Sequence, residues 1–159
     1  MKTEKSKYLK EVNDRIYEQL SFAEAKNGVL VGMLGAVIIA LLDLALSEKT
    51  NKVISTIIYI YDSVFLLALL ISLFSFFPCT NTLDNKENLF FWGDIAKFQN
   101  AKEYLAAFEQ NRELLEQHLA IQNIKVSRII QRKNNLFSLA LKLIAIAFCP
   151  ILLIYFLAK

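Results

Sequence analysis

Little in this chain invites catalysis or metal binding. Its 159 residues include two cysteines and one histidine, too few for a zinc site without carboxylate help, and their spacing offers none. Two prolines and four glycines leave scant material for turns, which excludes a loop-rich or all-β architecture and makes helix the default. The 18 basic and 15 acidic residues nearly cancel, for a formal net charge of +3; so small a bias does not point to nucleic acid, and no nucleic-acid partner is expected. No Walker loop, nucleophile elbow, HExxH helix or paired CxxC occurs, so no enzyme, catalytic residue, metal or resident cofactor is expected. His118, in ELLEQHLAIQ, reads as a solvated helix residue. Cys79 and Cys149 fall in different compartments under the topology below and read as spectators, not as a disulfide.

What the chain has in abundance is apolar surface: 55% of its residues are hydrophobic and mean hydropathy is +0.39, a composition that excludes disorder. The run VLVGMLGAVIIALLDLAL, Val29 to Leu46, at 1.5 Å per residue nearly crosses a bilayer core of about 30 Å. It is too long for a signal peptide, and the next apolar run follows too closely for one. Val53 to Phe77 supplies a second span, stopped by Pro78, and the two make a hairpin. Leu136 to Ala158 is the third, with Pro150 as an expected kink.

Orientation follows from lysine and arginine, which are retained on the cytoplasmic side. Six precede the first span and eight separate the second from the third, against Lys49, Lys52 and Lys159 opposite. The expectation is therefore an all-α membrane protein of three transmembrane helices with cytoplasmic helical extensions and a cytoplasmic amino terminus. Its parts are a cytoplasmic amphipathic helix (1–27), a transmembrane hairpin (28–78), a cytoplasmic loop and amphipathic helix (79–135) and a third span (136–159). Almost nothing protrudes outside, so a ligand or partner recognised by polar groups is met in the cytoplasm.

The first amphipathic stretch carries Leu9, Val12, Ile16, Leu20 and Ala23 at helical spacing. It either continues into the first span as one rod or lies on the bilayer as an interfacial helix. After a polar loop from Cys79 to Asn88 and an aromatic block, a second stripe starts near Asn100 and steps through Leu105, Phe108, Leu115, Leu119, Val126 and Ile130 into Phe137. Paired, the two stripes bury each other as a cytoplasmic helical stalk.

Asp43, Asp62 and Lys142 lie within the three spans. An intramembrane charge costs about 2.5–3.5 kcal/mol on insertion scales, so each should meet other helices or water. Asp62 sits about 13 Å and Asp43 about 6 Å below the outer edge, Lys142 about 9 Å above the inner one. They read either as a polar seam that conducts once several chains assemble or, for Asp43 and Lys142, as snorkelling residues. Gly28, Gly32, Ala36 and Ala40 recur on one face of the first span, which lets another helix approach closely, from the same chain or from a second copy.

FAEAK at Phe22 to Lys26 opens the first span. After the second come Phe90-Phe91-Trp92-Gly93-Asp94-Ile95-Ala96, then Glu103-Tyr104-Leu105, then Arg132-Lys133 ahead of the third. This ordered set resembles the Pycsar effector transmembrane domain family, bacterial antiphage membrane effectors. The resemblance implies an effector that answers a cyclic nucleotide made by a partner cyclase and impairs the inner membrane as a homo-oligomer, ending in abortive infection. It also implies cyclic UMP or cyclic CMP as a regulatory ligand. Such a nucleotide could stack on Phe90, Phe91, Trp92 or Tyr104 and place its phosphate against Lys26, Arg128, Arg132 or Lys133. The same aromatics equally fit an interface belt, and the same cations positive-inside anchoring. The alternative to an effector is a constitutive membrane anchor or scaffold whose cytoplasmic helices bind a protein partner.

Overall fold

The structure, a computed structural model, describes residues 4–48, 50–77 and 88–157, the side chains of 112 and 149–157 aside. All regular structure among them is helical: α1 (Glu4–Leu46), α2 (Lys52–Phe74), α3 (Trp92–Ile95), α4 (Ala101–Gln110) and α5 (Leu115–Leu157), with a 3-10 turn at Arg112–Leu114 before α5. The polar loop expected from Cys79 lies outside the described residues up to 87, as does Cys79 itself; so does the side chain of Cys149.

α1 runs unbroken for 43 residues, because no proline interrupts it and its glycines sit within a strongly apolar stretch. The amphipathic segment is thus continuous with the first apolar run, not a separate interfacial helix. Thr50 Oγ1 donates to the Leu44 carbonyl, and Asn51 caps α2 by accepting from the Val53 N–H. Within α2, Thr56 and Ser63 hydroxyls donate to carbonyls one turn back, which satisfies them without a second helix. The second stripe is not one helix. α4 starts at Asn100, whose side chain accepts from Glu103 N–H while Glu103 Oε2 accepts from Gln99 N–H. It stops at Asn111, and the backbone tightens through 112–114 before α5 begins. Leu105, expected in the buried stripe, is exposed on α4.

The chain divides into two compact units. Unit 1 holds residues 4–22 and 88–131 among those described. In it, α1 and α5 run parallel and are pinned by polar side chains: Asn13 Nδ2 donates to Asn123 Oδ1 at 2.7 Å, Asn123 Nδ2 to the Leu9 carbonyl, and Gln122 Nε2 to Tyr17 Oη. Lys5 and Glu116 add an exposed ion pair.

Unit 2 holds residues 23–77 and 132–157 among those described. α1 and α2 form the antiparallel hairpin, tied near its turn where Ser55 Oγ donates to the Ala45 carbonyl. α5 packs alongside, and the shared core is Leu30, Leu34, Ile38, Phe65, Ala68, Ala140 and Ala147. Ala68 and Ala140 are wholly buried, small residues that let the backbones approach.

α1 and α2 are each long and apolar enough to cross a membrane. Only 17% and 28% of their most apolar 18-residue windows are buried, the reverse of a soluble protein's core helix. Val29, Met33, Ile39 and Leu44 on α1 and Ile54, Ile60, Leu66 and Leu67 on α2 all face outward. Outward-facing apolar surface on two helices of spanning length is what a membrane protein presents to lipid.

Candidate functional site

The most elaborate polar arrangement is in unit 1, around the aromatic block. Asn88 Oδ1 accepts from the Phe90 N–H, an Asx turn that reverses the chain into α3. Phe91 is buried at the start of α3. Gly93 follows because a β-carbon there would come within 3.0 Å of the Phe91 ring. The turn carries Asp94 inward, where it is 1% exposed.

Asp94 is the hub. Its Oδ1 accepts from Lys97 Nζ at 2.7 Å, and its Oδ2 from the Asn88 N–H at 3.1 Å and from Lys125 Nζ at 3.4 Å. Lys125, only 6% exposed, also stands over the Phe91 ring, 5.1 Å from its centroid. Burial pushes the Asp94 carboxyl upward, but the Lys97 hydrogen bond, the Asn88 N–H and the Lys125 charge outweigh it and hold the group below its ordinary value. On the neighbouring turns of α5, Asn88 Nδ2 donates to the His118 carbonyl, Nδ1 of His118 is buried with no protein partner, and burial lowers the imidazole's pKa. His118 is therefore half-buried, not the solvated side chain expected.

The residues read as a nucleotide platform are divided between the units. Phe90, Phe91, Trp92, Tyr104 and Arg128 belong to unit 1; Lys26, Arg132 and Lys133 belong to unit 2. Trp92 is exposed, whereas Phe90 packs edge-on to Phe108 and Tyr104 donates its hydroxyl to the Leu89 carbonyl. Arg128 and Arg132 are exposed. Lys133 is buried: its Nζ donates to the Ser75 carbonyl at 2.9 Å, pairs with Glu24 at 3.1 Å and faces the Phe76 ring. Lys26 donates to Asn134 Oδ1 and lies over Phe137.

Of the charges within the three apolar runs, Asp62 is buried and its Oδ1 has no protein partner, while Asp43 and Lys142 are exposed. Gly28, Gly32, Ala36 and Ala40 are exposed on the side of α1 opposite Leu30, Leu34 and Ile38. Among the described residues, a β-carbon at Gly28 or Gly32 would meet nothing within 4 Å, so none of their helices packs on the small-residue face at these two positions.

In the sequence Asp94 is one residue of the aromatic block with no role of its own, and Lys125 is one of the eight basic residues between the second and third apolar runs. The missed signal was spacing: His118, Gln122 and Lys125 lie at i, i+4 and i+7 on one face of α5. That face is as inward as the apolar stripe beside it.

The family model of the Pycsar effector protein domain matches residues 8–158. No curated protein and no solved structure matches.

Proposed function

The chain belongs to the Pycsar effector domain family, which makes it an antiphage defence effector, and from that premise we propose that it is a cyclic-nucleotide-controlled protein that assembles in the bacterial inner membrane and impairs it. The observation that carries this reading is the extent of the family match, which takes in both apolar helices and the Asp94 hub.

In this reading α5 is the third span. It runs as helix to Leu157 and turns Leu139, Leu141, Ile146 and Phe148 outward, as α1 and α2 do with their own apolar residues. The amino terminus and unit 1 face the cytoplasm, where the basic residues concentrate. Homo-oligomers form through the open Gly28–Gly32–Ala36–Ala40 face, because in lipid helices associate by close backbone approach, not by hydrophobic drive. Three spans are few for a pore within one chain, so conduction needs several copies. Asp62 then lines the polar interior that the assembly opens. Cyclic UMP or cyclic CMP is the proposed regulatory ligand, with exposed Trp92 and Arg128 in unit 1 as its points of entry.

Dye entry and membrane potential in cells expressing the chain, with and without each nucleotide, test the reading. Leakage that depends on one nucleotide is the expected result. An intact membrane under every nucleotide favours the second reading, a constitutive anchor whose exposed Trp92 and Leu105 bind a protein partner.

A further inference from the structure

Unit 2 carries its own set of buried polar groups. Its hairpin register is pinned at both ends. Near the turn, Ser55 meets Ala45; at the other end, Lys133 joins Glu24 of α1 to Ser75, which follows α2. Residue numbers facing each other across the hairpin thus sum to about 100, which sets Asn27 opposite Ser72, one helical turn from the Lys133 contacts.

Asn27 and Ser72 are both 0% exposed, and Ser75 is buried beside them. The Asn27 amide is oriented by its Nδ2, which donates to the Ala23 carbonyl at 2.8 Å, and this leaves Oδ1 facing away without a protein partner. Ser72 Oγ and Ser75 Oγ also have no protein partner. Thr56 and Ser63 of the same helix show the ordinary alternative, a bond to the carbonyl one turn back. Hydroxyls that forgo that bond while fully buried need another partner. One acceptor and two hydroxyls, each able to donate and accept, are the two to four partners that hold an internal water. A cation would meet the Lys133 ammonium, which already sits 2.9 Å from the Ser75 carbonyl.

We propose that Asn27, Ser72 and Ser75 enclose a buried water-binding site at the Lys133 end of unit 2. One turn further along α2 the interior becomes dry: Ala68 packs with Leu30, Leu34, Phe65 and Ala140. The site hydrates the bundle interior up to that apolar layer, in a single chain, whether or not assembled chains leak.

The test places a thiol at each level of the full-length protein in detergent micelles, in a background with Cys79→Ser and Cys149→Ser. Infrared spectra on transfer to heavy water follow conversion of S–H to S–D. Ser72→Cys is expected to exchange within minutes, while Ala68→Cys, equally buried on the same face, retains its S–H band. Equal protection at both positions overturns the proposal. Thermal unfolding gives a second arm that does not depend on the thiols. Asn27→Leu is expected to lower Tm by about 2–4 °C, because it removes a satisfied group. A raised Tm means that the oxygen was dry, and a wild-type Tm that falls when sodium is replaced by choline assigns the site to a cation; either result overturns it.

Discussion

Asp94 and Lys125 show how a single buried charge pair organises unit 1. Removing one partner of such a pair strands the other, at a cost of about 3–5 kcal/mol, whereas replacing both with apolar or neutral groups is often tolerated. Asp94→Asn, which leaves the buried Lys125 ammonium without its counter-charge, is therefore expected to destabilise the purified protein by that amount in denaturant titrations, and adding Lys125→Met to recover most of it. Asp94 and His118 give this unit a signed pH dependence. His118 has a lowered pKa in the fold, so the stability it contributes is complete above its unfolded value near 6.5 and declines as pH falls from there toward the folded one. Asp94, also lowered, contributes fully above about pH 4 and is lost as pH falls through its folded value. Unfolding midpoints should thus drop in two stages on acidification, with His118→Phe removing the upper one. Asp62 lies in unit 2, and if it lines the proposed conducting path, Asp62→Ala is expected to abolish toxicity while leaving membrane insertion intact. Toxicity retained at equal expression would reject a conducting role for it.

At the level of elements, the long helices are what sequence periodicity describes best. Val29 to Leu46 and Val53 to Phe77 are apolar on all sides, and helix is the conformation that satisfies their backbone internally in lipid. The break between α4 and α5 was not visible in the stripe, because Leu105, Phe108 and Leu115 keep helical spacing across it while Asn111 ends the first helix. Nor does spacing reveal which face of α1 is inward. Gly28, Gly32, Ala36 and Ala40 form one regular face and Leu30, Leu34 and Ile38 the other, and only packing against Phe65, Ala68 and Ala140 decides between them. Gly32→Leu is expected to leave the fold of the single chain unchanged, since its β-carbon enters open space, and to reduce crosslinked oligomers through steric conflict on the outer face. Oligomer sizes identical to wild type would assign α1's outer face to lipid.

For the whole molecule, the decisive prediction is conditional toxicity: cells carrying the chain should lose membrane potential only when a cyclic nucleotide is supplied, and an adjacent cyclase gene would identify the source. Composition and hydropathy alone dictated the helical class and the apolar spans, because length and transfer energy are properties of a segment and need no neighbour. The ordered motifs pointed to the family for the same reason. Burial of polar residues was decided elsewhere. Asp94, Lys125, Asn27 and Ser72 look in the sequence like the exposed Arg128 or Asp43, yet three-dimensional packing shuts each of the first four away from solvent. A polar side chain's environment is the sum of contacts from several elements, and that sum exists only once the helices have come together.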